Sequence, residues 1–540
     1  MKALEENLTL LAGDARNRTS IPAIRDAVHD PDVTVSSIST VSVSYRGQPL
    51  VSRYDPVRES RAFIDAAVSG RGYIASAVFI GAGGMYHIEE YAARYPHHRF
   101  IIIEKNASLL RELFSARIMP FLSRAVVIAG ASAADAARTV DADIADYRID
   151  VTAFITHPRS MHTAPEYYRE LETLIATLTK RKLMSMTTYY YFASRWAMNT
   201  ACNTRQRSAR TLSALRGMLR GKRPALIVGG GPTVDERAAD VRALASSCSV
   251  IAVATAAAPL MKHGIRPDLV ITTDGGFYSS LHLTVLRGTD IPVIAALSAY
   301  GIPLRSMHEL YFFSQGSVIE RTIAPDMFEL PMSGSVIVDA LSIACFLDPS
   351  ALYIAAADFG YPDERTHSAF GASYAVDTAL SGKLTPLTAC NEKRAGEAIA
   401  GHDHRGGLLR TSAILAAYRD AFASSLSAVA VPVYAVTPRS ANLPISVWNG
   451  ATPPAERAIP VRAPAATHDT GALIARLAAL LDPCGKNDAD ALVTDDIAWE
   501  IAPFYIKRYL KDMTEANGTR LFHEVSTVVR GMLRVLDRHD

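Results

Sequence analysis

Residues 225–274 constrain the fold more than any other part of the sequence. Three apolar runs, at 225–228, 249–254 and 269–273, have the length and continuous hydrophobicity of buried parallel strands. Helical patterns separate the runs, and Gly264 ends the second helix. The stretch therefore predicts a β-α-β-α-β unit, which is the beginning of a doubly wound parallel sheet.

A turn of sequence Gly-Gly-Gly-Pro-Thr, residues 229–233, joins the first predicted strand to the first helix. Glycines let the backbone approach an anion closely, and the following helix directs free N–H groups at it. Asp274 ends the third strand at the edge where such sheets bind ligands. The turn predicts a phosphate or nucleotide site, although a tight turn that needs glycine only for its geometry has the same residues. No Lys-Ser or Lys-Thr pair follows, so this is not a Walker A loop.

A second group of polar residues lies further along the chain. Gly334 and Ser335 open an apolar helix whose first turn either binds an anion or is simply capped by serine. Asp358 follows a buried strand, and Tyr361 and His367 lie in the polar segment after it. A histidine exchanges protons near neutral pH and a carboxylate can orient it, so these three form a candidate acid/base set. The alternative is that His367 is an ordinary surface residue.

The N-terminal region contains another strand and glycine loop. A strand at 77–80 leads into Gly81–Gly84, and a second strand at 99–103 ends in Glu104. Dinucleotide and methyl-donor sites share this layout, with the acidic residue on a ribose hydroxyl. A domain of the same fold that is kept for its shape and binds no ligand is an equal alternative.

Composition limits the class of protein. The chain has 540 residues, 49% of them hydrophobic, and a net charge of +2. We expect about two to four domains, no transmembrane helix and no nucleic-acid partner. The five cysteines are scattered and the start is not typical of a secretory signal, which favours the cytoplasm and gives no structural zinc site.

Longer-range patterns give a three-domain organisation. We predict a Rossmann-like α/β domain with a helical linker at 1–205, a central domain at 206–447 with about eight parallel strands from Ala225 to Ala435, and a helical domain at 448–540. Other expected helices lie at 164–220, 336–346, 408–422, 471–481, 489–498, 504–513 and 521–536, with a solvated helical linker face at 205–223.

The motifs together resemble the motility-associated factor (Maf) family of flagellin glycosyltransferases, whose central domain is shared with hydroxymethylpterin diphosphokinase-like proteins. The resemblance rests on motifs in the right order over nearly the whole chain. They are Ser52–Pro56, Phe79–His87, Ile102–Glu104, Gly229–Thr233, Gly264–Asp274, Gly334–Val336 and Asp358–Tyr361 with His367.

The resemblance implies a cytoplasmic enzyme that moves a pseudaminic- or legionaminic-like nonulosonic acid from its CMP ester to Ser or Thr of flagellin. No metal or further cofactor is implied. His367 or Asp358 would act as the base or the acid, with Tyr361 between them. The residues expected to hold the nucleotide sugar are Gly229, Gly230, Gly231, Pro232, Thr233, Thr255, Asp274, Gly334 and Ser335.

Two other functions remain open from the sequence. A Mg-ATP-dependent diphosphokinase of the pterin type would recruit Asp235, Asp274 and Asp358 to hold the metal. A flagellin-binding factor without enzymatic activity would need none of these residues. The oligomeric state is not predicted.

Overall fold

The structure is a computed structural model that describes residues 2–37, 41–206, 209–330, 332–396, 398–451, 453, 471–481, 492 and 495–536. The chain forms two compact units. The first contains Met1–Tyr191 and Pro503–Gly518, and the second contains Phe192–Ala502 and Thr519–Asp540. The predicted three-domain division stays a prediction.

The strands of the described residues, in chain order, are β1 Val33–Ser37, β2 Val41–Tyr45, β3 Gln48–Pro49, β4 Ser76–Ile80, β5 Phe100–Glu104, β6 Ala125–Ala129, β7 Thr152–Thr156, β8 Arg210–Thr211, β9 Ala225–Val228, β10 Ser249–Val253, β11 Leu269–Thr272, β12 Val293–Ala296, β13 Leu310–Phe313, β14 Leu352–Ala355, β15 Ile399–His402, β16 Leu408–Thr411, β17 Val433–Ala435 and β18 Ser446–Val447.

The α-helices of the described residues are α1 Lys2–Ala12, α2 Ser20–Arg25, α3 Pro56–Val68, α4 Tyr86–Arg94, α5 Ala107–Ala116, α6 Ala133–Asp143, α7 Pro165–Asn203, α8 Thr233–Glu236, α9 Ala238–Ala245, α10 Ala254–Lys262, α11 Ser279–Leu283, α12 Gly301–Leu304, α13 Val318–Ile323, α14 Val336–Phe346, α15 Ala372–Leu380, α16 Leu387–Ala395, α17 Ala413–Leu426, α18 Gly471–Leu481, α19 Asp496–Ile501, α20 Pro503–Lys511 and α21 Glu515–Leu536.

The first unit contains a four-stranded parallel sheet in the order β6-β5-β4-β7. All five residues of β5 and of β6 are buried, as expected when both faces of a parallel sheet are covered. A separate antiparallel sheet has the order β1-β2-β3. Arg46 and Gly47 turn its second hairpin with φ of 49° and 75°, the left-handed conformation that tight hairpins require.

The second unit contains a nine-stranded parallel sheet in the order β18-β17-β14-β9-β10-β11-β12-β13-β8. The chain moves in one direction from β9 to β13 and in the opposite direction from β14 to β17. Because parallel crossovers are right-handed, the two series place their helices on opposite faces of the sheet. The predicted doubly wound α/β class is therefore confirmed. All four residues of β9 lie without exposed surface at the centre of the core.

The predicted helix at 408–422 is wrong in its first part. Residues Leu408–Thr411 form β16, which pairs antiparallel with β15, and the helix begins only at Ala413. Ser412 caps it, because its hydroxyl accepts a hydrogen bond from the N–H of Leu415. The apolar residues of 408–411 favour either structure, and the pairing with β15 decides between them.

The prediction of helices throughout 164–220 is also wrong beyond Asn203. Helix α7 ends there, and the predicted helical linker face at 205–223 instead includes β8 and a 3-10 helix, Leu212–Leu215. The apolar side chains of Leu212 and Leu215 are buried in the core of the second unit. Because these two side chains are buried, the segment forms a tight 3-10 turn, whereas the sequence predicts a solvated helical face.

The C-terminal prediction agrees with the structure where the residues are described. The predicted helices at 471–481, 504–513 and 521–536 correspond to α18, α20 and α21. Most of the helix predicted at 489–498 lies outside the described residues, and α19 begins at Asp496. Of the helices within the described ranges, none has both the length and the apolarity needed to cross a bilayer.

Candidate functional site

The strand order of the second unit reverses between β9 and β14. These two strands pair directly, with Val228 opposite Ala355 at their carboxyl ends. The loops that follow them diverge to opposite faces, and in doubly wound sheets the crevice between such loops is where ligands bind. The residues predicted from the glycine turn and from Asp358 therefore meet at the topological switch point.

Asp358 fastens the two loops together. Its Oδ1 accepts hydrogen bonds from the hydroxyls of Thr233 and Ser440, each at 2.5 Å, and its Oδ2 accepts one from the N–H of Thr233 at 3.0 Å. The side chain is buried, and this burial raises the pKa of the carboxyl while the donors lower it. With both oxygens engaged, Asp358 holds the glycine turn against the end of β14, which is a positioning role.

The backbone around Asp358 is strained. Ala356 and Phe359 have φ of 53° and 42°, values that residues with a Cβ seldom adopt. The N–H of Ala356 donates to Thr437 Oγ1 at 3.0 Å, and Ala441 donates to the carbonyl of Asp358 at 3.0 Å. The segment after β17 thus holds the strained turn in place, a feature that often accompanies functional sites. Sequence reasoning missed Ser440 and gave Thr437 no role, because neither belongs to a recognisable motif.

Tight packing explains why the turn after β9 contains three glycines. A Cβ on Gly229 would lie 2.3 Å from the carbonyl oxygen of Ala356, and one on Gly230 would lie 2.2 Å from Thr255 Oγ1. On Gly231 it would lie 2.2 Å from Asp358 Oδ2. Close packing alone is therefore sufficient to explain why glycine occupies these three positions. This was the alternative to a phosphate site that the sequence left open. The turn still reaches solvent, because Gly230 and Gly231 are only partly buried.

Two helices begin at this edge of the sheet without side-chain caps. Helix α10 begins after Val253 and contains Thr255 in its first turn, and α14 begins after Ser335. Neither cap residue accepts a hydrogen bond from its helix through its side chain. Gly334, with φ of 79°, gives the left-handed turn into α14. Because no side chain caps either helix start and the helix dipole is positive there, both are suited to a phosphate group.

Asp339 lies in the first turn of α14 and was missed by sequence reasoning. Only 2% of its surface is exposed. Burial raises its pKa to about 7, while a hydrogen bond with Ser333 acts in the opposite direction. A buried carboxyl group with a raised pKa at this edge is a candidate functional group. The signal in the sequence was one acidic residue inside an otherwise apolar helix.

The segment that carries His367 is attached to the glycine turn. The N–H of Ser368 donates to the carbonyl of Gly230 at 3.1 Å. Asp235, in α8, accepts from the hydroxyl of Ser368 at 2.6 Å and from the N–H of Ala369 at 2.9 Å. The ring of His367 is partly buried, with Nδ1 3.2 Å from Thr366 Oγ1. The sequence predicts Asp235 as a metal ligand of the diphosphokinase alternative, and its role in holding this loop was not foreseen.

Tyr361 and Asp274 are placed differently from the other predicted site residues. Tyr361 is buried, and its N–H donates to the carbonyl of Arg410 at 2.8 Å. Asp274 is exposed after β11, and its Oδ1 accepts from the N–H of Gly276 in its own turn at 2.8 Å. The hydrogen bonds of the structure therefore join Thr233 to Asp358, but they include neither Tyr361 nor Asp274 in that cluster.

The end of α7 supports the neighbouring loops. Asn199 donates through Nδ2 to the carbonyls of Gly275 and Ser298, both at 3.0 Å. Asn203 donates likewise to Leu297 and Ala299, at 2.9 and 2.7 Å. Two buried amides thus fix the loops that follow β11 and β12.

The glycine loop of the first unit is filled by the protein itself. A Cβ on Gly81 would lie 2.3 Å from Ser160 Cβ, and one on Gly83 would lie 2.6 Å from His157 Cε1. Glu104 is fully buried and accepts hydrogen bonds from the N–H groups of Ala82 and Asn106 and from the hydroxyl of Tyr168. These three hydrogen bonds have lengths of 2.8, 2.9 and 3.0 Å.

These contacts favour the alternative in which this loop binds no dinucleotide. The acidic residue that would bind a ribose hydroxyl is already satisfied by three protein donors. A cavity of about 400 Å³ in the same unit is lined by Asp30, Lys105 and Asn106 among others, and none of the loop glycines lines it.

Comparisons with known proteins agree with this architecture. Residues 194–364 match the family model described as 6-hydroxymethylpterin diphosphokinase MptE-like. The chain also resembles the solved structure of a Maf glycosyltransferase from Magnetospirillum magneticum AMB-1. The TM-score is 0.52 and the identity 14%, over 99% of this chain and 95% of the other. This likeness confirms the predicted fold.

A relative in the curated proteins adds no function. It is an uncharacterized protein of Treponema pallidum (strain Nichols), 27% identical over 218 residues, which are 39% of this chain and 69% of that protein. The two matches with descriptive names concern a glycosyltransferase and a diphosphokinase, the first two functions expected from the sequence.

Proposed function

We propose that this protein is a cytoplasmic glycosyltransferase that moves a nonulosonic acid from its CMP ester to Ser or Thr of flagellin, in support of flagellar filament assembly and motility. One observation carries the proposal. The loop of His367 is hydrogen-bonded through Ser368 to the glycine turn at the switch point of the sheet. The ionisable side chain of His367 is thus carried by a loop that is attached to the turn at a crevice suited to a nucleotide.

Binding of the donor would use the first turns of α10 and α14. Both helices begin without a side-chain cap at the carboxyl edge of the sheet, and their N–H groups would stabilise the phosphate of CMP. Thr255 and Ser335 add hydroxyls at these positions. The glycines at 229–231, together with Pro232 and Thr233, would shape the crevice rather than cover the phosphate, because Thr255 and Asp358 pack against them.

Transfer requires that the acceptor hydroxyl lose a proton as its oxygen bonds to the anomeric carbon. The bond from that carbon to the phosphate oxygen breaks, and CMP leaves with the electron pair. His367 is the group we expect to take the proton, because it is only partly buried and histidine titrates near neutral pH. Asp358 would hold the turn in place, and Tyr361 would support the loop.

The likeness in fold to the Maf glycosyltransferase supports this proposal over the whole chain. Flagellin as acceptor and a CMP-activated sugar as donor come from the motif resemblance. No metal is part of the proposal, which assigns the stabilisation of the leaving phosphate to the starts of α10 and α14.

The match to the MptE-like family favours a diphosphokinase as the second candidate. In that mechanism Asp235, Asp274 and Asp358 would have to bind Mg²⁺. Asp235 already accepts hydrogen bonds from Ser368 and Ala369, and Asp358 from Thr233 and Ser440, whereas Asp274 is exposed and accepts one from Gly276 in its own turn. Metal binding at Asp235 and Asp358 would require their contacts to be exchanged, so the glycosyltransferase is the simpler assignment.

Binding measurements distinguish the candidates. We expect CMP to raise the melting temperature without Mg²⁺, because a ligand that binds only the folded state stabilises it. Thr255→Val should reduce this shift, since it removes a hydroxyl at the start of α10 while conserving volume. Thr173→Val is the matched control, because that hydroxyl is exposed and bonds only to its own helix at Arg169. Gly230 is a poor target, because a side chain there would collide with Thr255.

Activity is then tested with a CMP-activated nonulosonic acid and purified flagellin, with the mass of flagellin as the readout. A mass increase of one sugar per site supports the proposal. Stabilisation by ATP only with Mg²⁺ would favour the diphosphokinase. If flagellin binds but no nucleotide does, the protein is a flagellin-binding factor.

A further inference from the structure

Residues 361–371 form a loop that is tied down at its far end. Ser368 is hydrogen-bonded to the carbonyl of Gly230 and to Asp235, and Ala369 donates to the second oxygen of Asp235. At the near end, Asp363 and Glu364 have φ of 51° and 58°. Such values persist only when the surrounding contacts impose them. The segment between these two ends has a defined course, and Arg365 is part of it.

Arg365 has charged neighbours but no close ion pair with them. Its guanidinium nitrogens lie 3.7 Å from Asp235 Oδ2 and 3.8 Å from Asp363 Oδ2, which is beyond hydrogen-bonding distance. Asp235 does not depend on it, because Ser368, Ala369 and the Nε2 of His263 at 3.3 Å already surround that carboxylate. Pairs at such distances near solvent contribute little to stability.

Arg439 provides the contrast on the same face of the molecule. It lies 2.7 Å from both Glu236 Oε1 and Asp363 Oδ1, and these two hydrogen bonds raise its pKa. Arg439 is therefore engaged in holding the loop to α8. Arg365 carries the same charge, with 26% of its side chain exposed, and is not used in this way.

The planar guanidinium of arginine recognises a carboxylate through two parallel hydrogen bonds. We propose that Arg365 binds the carboxylate of an acidic sugar donor and so selects nonulosonic acids over neutral sugars. This inference rests on the proposed function. It assigns the phosphate to the helix starts and the sugar carboxylate to the His367 loop, two residues before the expected base.

The test compares Arg365→Gln with the wild-type protein, using CMP and a CMP-activated nonulosonic acid as separate ligands. We expect Kd and KM for the sugar donor to rise by about 10- to 100-fold, the usual effect of losing a charged hydrogen-bonding partner. Affinity for CMP alone should stay unchanged, because CMP lacks the carboxylate. Arg365→Lys should recover part of the loss, since it keeps the charge without the planar fork.

Two controls separate binding from structure. Arg419→Gln removes an arginine that pairs with its neighbour Asp420 on α17. This variant should change the affinity for neither ligand. Arg439→Gln should lower the melting temperature, whereas Arg365→Gln should not.

Three results would overturn the inference. They are an equal loss of affinity for CMP and donor, which would place Arg365 at the phosphate; no change for either ligand; and a fall in melting temperature that accounts for the loss. If the wild-type protein binds neither ligand, the proposed function fails and the role of Arg365 fails with it. Loss confined to the donor would support both.

Discussion

Each unit contains a strand, a glycine-rich turn and a helix at a point where the strand order of its sheet reverses. In the first unit the turn follows β4, between β5 and β7, and in the second it follows β9, between β10 and β14. In both, a side chain from the neighbouring strand end bonds to the turn. Ser160 accepts from the N–H of Gly83 at 3.1 Å, and Asp358 accepts from that of Thr233 at 3.0 Å.

The two turns differ in what remains accessible. Every residue of 81–88 is buried, whereas Gly230, Gly231 and Thr255 keep exposed surface. The first crevice is occupied by two stacked imidazoles, His87 and His157, whose ring centroids are 4.8 Å apart. The second crevice has uncapped helix starts and a loop with ionisable side chains. The same local motif thus serves as core in one unit and as a candidate binding site in the other.

The largest expected effect comes from substituting one histidine in each unit, His367 in the second and His157 in the first. His367→Ala should lower kcat by about 10²- to 10⁴-fold, because it removes the general base. His157→Gln should leave kcat per folded molecule unchanged, since His157 is buried beside Ser160. Initial rates of sugar transfer, normalised to folded protein by circular dichroism, provide the measurement. An equal loss in both variants would show that the first crevice also takes part in the reaction.

Burial raises the pKa of Asp339 in the second unit and of Glu104 in the first, but their hydrogen-bond partners differ, so neutralising each should change stability differently. The pKa of Asp339 is raised from 3.8 to about 7 by burial. The folded state therefore retains a proton that the unfolded state releases, and stability falls as pH rises from about 4 to about 7. The loss is at most about 4 kcal/mol. Asp339→Asn should remove this dependence and be more stable than the wild type at pH 8.

Glu104→Gln is the counterpart in the first unit. An amide NH₂ there would face at least one of the donors Ala82, Asn106 and Tyr168, so this variant should lose stability at pH 8. Urea denaturation at several pH values measures both variants. A stability curve of Asp339→Asn parallel to that of the wild type would contradict the assigned pKa.

Gly83→Ala should destabilise the protein by about 3 kcal/mol, through overpacking and a left-handed backbone. Its Cβ would meet the ring of His157, and φ is 50°. The double variant Gly83→Ala/His157→Ala should recover the steric part only. Chemical denaturation of the two single variants and the double variant gives the coupling between the residues. Additive effects would mean that the ring does not fill the turn.

The smallest effects come from single hydroxyls bonded to the two strand-end carboxylates. Tyr168→Phe removes a donor to Glu104, and Thr233→Val removes a donor to Asp358. Each should cost about 1–2 kcal/mol of stability. Only Thr233→Val should also weaken CMP binding, because it loosens the turn at the switch point. Calorimetry measures the affinity of each variant for CMP. Equal affinities in the two variants would mean that the glycine turn is not part of the CMP-binding site.

Much of the second unit's sheet could be predicted from local sequence. The strand Ala225–Val228 and the helix Val336–Phe346 have the predicted bounds. Fully buried parallel strands are continuous apolar runs, and turn residues punctuate them. The segment Leu408–Thr411 was assigned wrongly, because its strand state depends on pairing with β15.

The site was only partly predictable for the same reason. Gly230 and Asp358 are recognisable as strand-end residues, whereas Ser440 becomes relevant only through its bond to Asp358, 82 residues away. Nothing in the local sequence distinguishes Arg365, whose ion pairs are long, from Arg439, which is hydrogen-bonded to Glu236 and Asp363. Their difference depends on which carboxylates the fold places within hydrogen-bonding distance.

The sequence by itself determined the α/β class, the strand and helix that flank each glycine turn, and the candidate residues at the strand ends. These features follow from periodicity and from the geometry of glycine, which act over a few residues. Only the tertiary structure decided that β14 pairs with β9 and that Thr233 meets Asp358 across 125 residues. It also decided that the carboxylate of Glu104 accepts its hydrogen bonds from Ala82 and Tyr168 within the first unit. Burial and hydrogen bonding between distant segments depend on the order of strands in the sheet, which local patterns do not encode.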